Sequence, residues 1–384
     1  MTKYFNKAIM FLIGIAMFIA CNSTSEFAMN SIPVSLEETD KFYDTCYLSK
    51  CRELYLETNK SSVVNAVSKI IETNDGLICI FDLTLNQIVV FDSSGKYVRT
   101  INHTGRGPGE YIHISDVTYD KSTDELLCLV DPTAIMHYST NGKFLKKESL
   151  DNYYTDIAVD SQYIYLYNYT YTNMVTPEYT IDCINKSTGE HHPLLPFDDE
   201  YAPFCSIGSK LFHGEGGYYF VRKFDNHIYQ LCDGKINNAY EIDLGTHQFP
   251  AHELNKKYDC GELFSYCHKK EFSFLFKNVI VGKNQILFSS NLDDIYIISK
   301  DNKTGKRYTY MVISEYGIPT SALSHIDGST DKCAFVLYPS SFISIKKLKA
   351  ENCEFDKMFN FPFTDAMQAI TEESNPVIFI YSLK

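Results

Sequence analysis

Tryptophan is absent from the 384 residues, and several motifs that mark known chemistry are absent as well. No CxxC pair occurs, so the spacing of zinc fingers and zinc ribbons is missing. Neither GxSxG nor the phosphate-binding GxxxxGK(S/T) loop occurs. The sequence therefore gives no motif-level indication of a serine hydrolase, a P-loop nucleotide site or a structural zinc.

Positive charge is scarce. Lys and Arg number 35 against 48 Asp and Glu, which gives a formal net charge of −13. Nucleic-acid binding depends on a basic surface that neutralises phosphates. We therefore predict no nucleic-acid partner.

The N-terminal segment has the anatomy of an export signal. Lys3 and Lys7 precede an apolar run over residues 8–20, which is too short to span a bilayer comfortably. The run ends in Phe-Ile-Ala before Cys21, and this resembles the lipobox of bacterial lipoproteins. The resemblance implies cleavage before Cys21 and its lipidation. An ordinary signal peptide followed by a chance cysteine is the alternative.

A repeat of strand, polar turn and strand runs along the rest of the chain. The turns carry Gly95, Gly142, Gly189, Gly234 and Gly305, and the first three separations are 47, 47 and 45 residues. Short strands repeated with a period in the forties indicate radial repetition. The sequence therefore predicts an all-β propeller over residues 41–384, after a signal peptide (1–20) and a tether (21–40).

Six alternating strands of the second-strand type predict six blades of four antiparallel strands. Segments 51–58 and 375–384 are expected to pair and close the ring, because an unpaired sheet edge is unfavourable. Taking residues 353–361 as a further strand leaves seven blades as the alternative. Insertions are expected at 247–272 and 340–371, the second with helices at 346–351 and 365–373.

The twelve cysteines do not suggest a dense disulfide framework. Cys79 and Cys128 occupy equivalent places in successive apolar strands, so we expect them in the core. Two pairs are close enough in sequence to bridge locally, Cys46 with Cys51 and Cys260 with Cys267.

A resemblance to a known family follows from three segments. These are the loop Gly105–Tyr111 (GRGPGEY), NHIYQL at 226–231 and NPVIFIYSLK at 375–384. Together with the lipobox they resemble the six-bladed β-propeller lipoproteins of gut Bacteroidetes, which are similar to TolB-like and NHL-repeat propellers in fold. The absence of Trp speaks against WD-dipeptide, kelch and Asp-box propellers. The resemblance implies a fold and an envelope location but no chemistry.

The same resemblance bears on location. Surface-exported lipoproteins of that group carry an acidic run after the lipidated cysteine, and here only Glu26 is present. We therefore expect an outer-membrane lipoprotein that faces the periplasm.

Two loops are candidates for ligand binding. Arg106, Glu110 and Tyr111 follow closely spaced glycines that permit unusual backbone conformations. Arg suits a bidentate contact with an anion, and Tyr suits stacking on a sugar ring. The turn with Arg222, Asp225 and Asn226 is expected at the same end of the propeller. A tight crossover and a solvated hairpin are the respective alternatives.

The inner strands suggest a metal site. Asp116 and Asp156 fall at equivalent positions of neighbouring repeats, with Ser68, Lys210, Asn278 and Leu323 at roughly corresponding places in the others. Two carboxylates with Asn278 are ligands of the kind that calcium takes. Local capping of a turn by each Asp is the alternative.

These features predict a membrane-anchored, non-catalytic binding propeller that needs no cofactor. Its expected ligand is a glycan, a peptide or a partner protein of the envelope. The alternative is a calcium-dependent propeller hydrolase or lyase of the lactonase kind, and a third interpretation is a structural partner of outer-membrane uptake machinery.

Overall fold

The computed structural model describes residues 28–49, 51–131, 133–167, 179–196, 210–256, 258–313, 318–320, 323–351 and 364–384. The predicted signal peptide, Cys21 and the extra strand at 353–361 lie outside these ranges. Among the helices that the ranges include, none is long and apolar enough to cross a membrane.

Strands dominate the described part of the chain. In chain order they are β1 (Ala28–Tyr43), β2 (Arg52–Tyr55), β3 (Lys69–Glu72), β4 (Ile78–Asp82), β5 (Gln87–Phe91), β6 (Tyr97–Ile101), β7 (Ile114–Asp120), β8 (Glu125–Val130), β9 (Ala134–Ser139), β10 (Phe144–Ser149), β11 (Asp156–Val159), β12 (Tyr163–Tyr167), β13 (Tyr179–Asn185), β14 (His191–Pro196), β15 (Lys210–Gly214), β16 (Gly217–Val221), β17 (His227–Cys232), β18 (Lys235–Asp243), β19 (Phe276–Val281), β20 (Gln285–Ser290), β21 (Ile295–Ser299), β22 (Thr304–Ile313), β23 (Ile318–Thr320), β24 (Ser324–His325), β25 (Lys332–Leu337) and β26 (Val377–Ser382).

Helices occur in the two predicted insertions. Between β18 and β19 the chain forms 3-10 turns at Gly245–His247 and Ala251–Glu253, then helix α1 (Cys260–Lys270). Asp259 caps α1 by accepting from the backbone N–H of Glu262, whose side chain accepts in turn from the Asp259 N–H. Between β25 and β26 lie α2 (Pro339–Glu351) and α3 (Asp365–Gln368), as expected for that insertion.

The first three repeats each form a separate antiparallel sheet, and these sheets are β3–β6, β7–β10 and β11–β14. The apolar second strands are almost fully buried, because each sheet packs on a neighbour on both faces. The turns before the fourth strands hold Gly95, Gly142, Gly189 and Gly234 at φ between 70° and 88°. Glycine adopts this left-handed conformation without steric cost, which explains the repeated signal.

The next two repeats do not remain separate. Strands β15–β18 and β19–β22 are two antiparallel meanders, and β1 lies between them as a shared strand. β1 pairs in parallel with β18 over Ala28–Pro33 and then with β22 from Val34 to Tyr43. The result is one ten-stranded sheet, which β23 completes by pairing with β22.

The predicted six-bladed propeller of separate four-stranded blades is therefore wrong. The structure is all-β, with a propeller-like arrangement of four four-stranded sheets and one ten-stranded sheet. The physical reason is the N-terminal strand, which pairs with the outer edges of both meanders. Residues 28–40, which the sequence suggested as tether, belong to β1, and Ile32 is buried there.

The fourth four-stranded sheet joins the two ends of the chain, in the order β2-β26-β25-β24. β2 pairs with β26 from Arg52↔Ile380 to Tyr55↔Val377, so the expected pairing of the end segments is present. Asn375 precedes β26 and is buried. Its side chain accepts from the Val64 N–H at 2.8 Å and donates to the carbonyls of Glu57 and Ser62.

Gly305 departs from the turn pattern. It lies inside β22 instead of in a turn, and it pairs with Ile298 and with Val34 of β1. A Cβ at this position would overlap Ile298 Cδ1 and would lie 2.8 Å from Val34 Cγ2. Glycine is needed here for the close approach of β1, which the sequence pattern did not reveal.

The cysteines behave as small core residues. Cys79 and Cys128 are buried, as expected, and so are Cys183, Cys267 and Cys333. Cys46, Cys51 and Cys267 are free thiols, so neither local bridge suggested by spacing is formed through them.

Gly95 offers a test of ring closure. Its Cβ position lies against the backbone carbonyl of Tyr55 in β2, and its own carbonyl accepts from the Glu57 N–H at 2.8 Å. We expect Gly95→Ala to lower the free energy of unfolding by about 1–2 kcal/mol for the left-handed backbone and by about 1–3 kcal/mol more for the overlap. Urea unfolding of the purified protein measures this difference.

Gly189→Ala is the matched control. Gly189 has φ of 70° in the equivalent turn of the third sheet, and a Cβ there meets nothing within 4 Å. Its substitution should carry only the backbone cost. Equal destabilisation by the two substitutions would show that the turn of Gly95 does not pack on β2 as described.

Candidate functional site

The starts of the inner strands converge on one end of the central channel. A short pattern marks these starts in most repeats: Ser or Thr, then a polar residue, then an aliphatic residue. The polar residues at these positions, which we call the inner ring, are Lys69, Asp116, Asp156, Lys210, Asn278 and His325. Contacts between consecutive inner strands bring them together.

This alignment corrects two positions of the sequence interpretation. Lys69 and His325 occupy the places that were assigned to Ser68 and Leu323, whereas Lys210 and Asn278 were assigned correctly. The signal was present, since Ser68-Lys69-Ile70 and Ser324-His325-Ile326 repeat the pattern of Ser115-Asp116-Val117. It was missed because the middle residue of the pattern differs in chemistry between repeats, being charged, an amide or an imidazole.

A cavity of about 310 Å³ opens beside the ring, between β3, β15, β19 and β24. Its basic lining residues are Lys69, Lys210 and Lys277, and no carboxylate is among the described residues that line it. Phe212, Val221 and Phe276 contribute to an apolar wall. A volume near 300 Å³ with apolar walls and a few convergent polar groups is typical of small-molecule sites.

Lys69 and Asp116 form the central ion pair of the ring. Lys69 Nζ lies 2.7 Å from both carboxylate oxygens of Asp116, and both side chains are about nine-tenths buried. Asp116 also accepts from the Ile157 N–H at 3.0 Å. Burial alone would lower the pKa of Lys69, but the carboxylates of Asp116 and Asp327 outweigh it and raise the pKa. Lys69 therefore stays charged.

The pKa of Asp156 is set by a different combination of burial and neighbouring charges. Burial raises the pKa of Asp156 to about 7, and the negative charge of Asp116 adds to this effect, while Lys210 and Lys69 oppose it. Thr155 donates to its carboxylate at 3.1 Å. A carboxyl group that titrates near neutral pH beside a cavity is characteristic of functional sites.

His325 contributes a neutral imidazole. Burial lowers the pKa of His325 to about 3, and the charges of Lys69 and Lys210 act in the same direction against that of Asp327. At physiological pH the ring therefore has Lys69 and Lys210 as its cations, with His325 as an uncharged hydrogen-bonding group.

Below the ring the channel is filled with hydrogen-bonded side chains. Asp327 is 2% exposed and accepts from Thr118 Oγ1 at 2.9 Å, from the Tyr218 hydroxyl at 3.3 Å and from the Gly328 N–H at 3.0 Å. His213 packs edge-on against Tyr218. Because these groups occupy the channel interior, we describe the cavity beside the ring as lying at the channel mouth.

Both helical insertions reach this mouth. The α1 insertion ends in Phe274 and Leu275, whose backbone N–H groups are both held by the buried side chain of Asn291 at 2.8 and 3.3 Å. Tyr338, next to α2, accepts from the N–H of Val67 at 2.9 Å. Leu275 and Val67 line the cavity, so each insertion fixes part of its wall.

Two of the predicted calcium ligands, Asp116 and Asp156, lie near one another, but the arrangement does not fit calcium. The ammonium of Lys69 occupies both oxygens of Asp116, where a cation would bind. Asn278 lines the cavity at a bulge in β19 with φ of 52°, and its amide donates to Ser289 Oγ. The described residues contain no cluster of three His, Cys, Asp or Glu side chains suited to a metal.

The glycine-rich loop is largely structural. The Glu110 carboxylate accepts from the Gly107 N–H at 2.7 Å and so closes the turn. Tyr111 is 1% exposed, and its hydroxyl donates to the Asn86 carbonyl and accepts from the His103 N–H. Tyr111 is thus a core residue and is not available to stack on a sugar. Arg106 is exposed, as expected.

The turn of the fourth repeat is also satisfied internally. Asp225 is buried and accepts from Arg222 Nε at 2.6 Å, from the backbone and ring N–H groups of His227, and from the Tyr229 hydroxyl. Burial tends to raise the pKa of Asp225, but these contacts with His227 and Arg222 lower it overall. Asn226 donates to the Ile242 carbonyl. This cluster orders the turn and does not line the cavity at the channel mouth.

The titration of Asp156 has a measurable consequence. Its pKa is higher in the folded protein than the ordinary value of 3.8, so the native state binds the extra proton and loses stability as pH rises from about 4 to about 7. Asn resembles the protonated acid in shape. We expect Asp156→Asn to match the wild type below pH 4 and to be more stable above pH 7, as measured by urea unfolding across that range.

His325 changes stability with the opposite sign, since its lowered pKa favours folding as pH rises from about 3 to 6.5. The contribution of His325 is the same in the wild type and in Asp156→Asn, so it cancels in the difference between their free energies of unfolding. Asp151→Asn, at an exposed position, is the control. A difference between the Asp156 variant and the wild type that does not change with pH would contradict the raised pKa.

One solved structure gives the fold independent support. The chain is similar to a protein from Bacteroides fragilis that is assigned as exported, with a TM-score of 0.68, 18% identity, and coverage of 93% of this chain and all of that one. It also resembles a member of the DUF4221 family from Bacteroides vulgatus, with a TM-score of 0.49, 10% identity, and coverage of 88% and 97%. At such identities the similarity concerns the fold alone.

A search of curated proteins found no match. The model of a family defined by a domain of unknown function, DUF4934, matches residues 29–382, nearly the entire described chain including β1 and β26. The chain belongs to the DUF4934 family.

Proposed function

We propose that this chain is an exported binding protein of the bacterial envelope that holds a ligand in the cavity at the channel mouth. The observation that carries the proposal is the cavity itself. Four inner strands from distant parts of the chain converge on it, and two helical insertions fix its rim. Rigid scaffolds with loops that shape a recess at one end commonly serve recognition.

The ligand would be a small molecule, or one end of a glycan or peptide. A recess of about 310 Å³ accommodates one end of such a polymer but not a folded domain. The exposed Arg106 lies on a crossover loop between sheets, and we place it outside the primary contact.

An enzyme is the second candidate, and one observation favours it. The pKa of Asp156 is raised to about 7 by burial, and a carboxyl that titrates near neutral pH suits general acid–base catalysis. In that case Asp156, which lies beside the cavity lining and not in it, would exchange a proton with a bound substrate through a water molecule. The two candidates are distinguished by turnover: an enzyme would convert its ligand and lose conversion, but not binding, in Asp156→Asn.

The cavity is tested by filling it. Ser324 lines the cavity at the start of β24, in the sheet that joins the chain ends. The larger side chain of Ser324→Phe should fill the cavity. It should weaken the binding of a ligand found by glycan and peptide screening at least tenfold. Ser161→Phe, on an exposed turn at the other end of the inner strands, is the control and should bind normally. Calorimetric titration measures both. Unchanged affinity in Ser324→Phe, with a normal melting temperature, would place the ligand elsewhere.

The location is proposed from the N-terminal sequence and from the exported structural relative. Cys21 would carry the lipid that holds the protein in the outer membrane. Cys21→Ser should abolish labelling with a palmitate analogue, and the protein should leave the membrane fraction or accumulate unprocessed. Ser23→Ala is the control and should be labelled normally. Equal labelling of wild type and Cys21→Ser would contradict lipidation at this residue.

A further inference from the structure

We infer that the ligand of the channel-mouth cavity is an organic anion with an apolar body, whose acidic head binds Lys210 and whose body lies against the Phe212–Phe276 wall. This inference rests on the proposed function and specifies its ligand class. It depends on the distribution of charge around the cavity.

The charge at the mouth is divided between two sides. Lys69, Lys210, Lys277 and His325 line the cavity, whereas the carboxylates of Asp116 and Asp156 lie on β7 and β11, which do not line it. The recess therefore presents ammonium groups without a carboxylate among its described lining residues. Such a surface attracts a negatively charged ligand and repels a cation.

The three lysines differ in their availability. Lys69 is paired with Asp116, and both are nearly buried. Lys277 lies 2.8 Å from the exposed carboxylate of Asp293. Lys210, at the first position of β15, is exposed and lies close enough to Asp156 to lower its pKa. Lys210 is thus the ammonium best placed to bind an incoming acidic group. Once it has bound that group, its positive charge would stabilise the ionised form of Asp156 less.

The rest of the cavity lining favours an apolar partner. Phe212 and Phe276 are 3% and 4% exposed, and Val221 and Val279 extend the same surface. A bare inorganic anion would leave this surface wet, while a molecule with an apolar body beside its charge would cover it. Ser68 and Ser324 add hydroxyl groups at the rim.

Anion binding should be coupled to a proton. Asp156 faces Asp116 from β7, Lys69 from β3 and Lys210 from β15, and it pairs across the sheet with Tyr167 of β12. A second negative charge next to Lys210 disfavours the ionised form of Asp156 in the same way that Asp116 does. Near pH 7 the complex should therefore take up part of a proton from buffer.

The test uses three probes on the protein purified from membranes, with a detergent blank. 3-Phenylpropionate carries both the charge and the apolar body, 3-phenylpropionamide has the body alone, and inorganic sulfate has the charge alone. We expect the carboxylate to bind at least tenfold more tightly than either other probe. Lys210→Met should reduce that preference about tenfold. Lys283→Met, on the turn at the opposite end of β19, is the matched control and should leave it unchanged.

Proton uptake gives a second readout. Titrations at pH 7 in two buffers of different ionisation enthalpy should show proton uptake with the carboxylate, and Asp156→Asn should abolish this uptake while retaining binding. Equal binding of the amide and the carboxylate, with both lost in Ser324→Phe, would overturn the anion inference but leave the cavity as the site. Binding of the carboxylate that neither Ser324→Phe nor Lys210→Met affects would overturn both. Failure of the carboxylate to bind at all would also overturn the anion inference.

Discussion

The pairing of β2 with β26 is the interaction on which the rest of the structure depends. It joins residues 52–55 to residues 377–380 and so connects the segment before the first sheet to the last strand of the chain. Next to it, the Glu72 N–H donates to the Asp327 carbonyl and the Asp327 N–H donates to the Ile70 carbonyl, which ties β3 to the segment after β24. Because β3 and β24 both line the cavity, the site exists only when the chain ends have met. Unpaired edges would otherwise remain exposed at both strands.

Charge compensation is the second constraint. Each inner strand carries a polar residue at or near its start, and a buried charge is costly unless it is paired. Asp116 forms an ion pair with Lys69, whereas Asp156 loses its buried negative charge by taking up a proton near neutral pH. Asp327 is held by three donors deeper in the channel. Lys210 is the cation of the ring that keeps an exposed side chain, and this asymmetry is the basis of the inferred preference for an anionic ligand.

The sequence predicted much of the fold because its signals are local. Turn glycines such as Gly95 and Gly142 need left-handed backbone, and strands such as β4 and β8 are continuous apolar runs, so the four-stranded sheets could be located directly. The joining of two meanders by β1 was not predictable in the same way. That strand is polar on alternate residues and pairs in parallel with segments more than 200 residues away, and no local pattern specifies such partners.

The site was predicted less well for a similar reason. Exposed-looking polar residues in loops, among them Tyr111 and Asp225, are in fact buried and bonded within their own turns. Lys69 and His325 were passed over because their chemistry differs from that of Asp116, although all three occupy one repeated position. Only the closed ring shows that Lys69 and His325 share a cavity.

The most direct measurement is a crystal structure of the protein soaked in sodium bromide, with anomalous data collected at the bromine edge. Bromide is a small anion that locates sites of positive potential without needing the natural ligand. The account predicts an anomalous peak inside the channel-mouth cavity, in contact with Lys210 Nζ and above the apolar wall of Phe212. Bromide found only at lysines on the outer surface, with the cavity occupied by a side chain or free of anion, would contradict it.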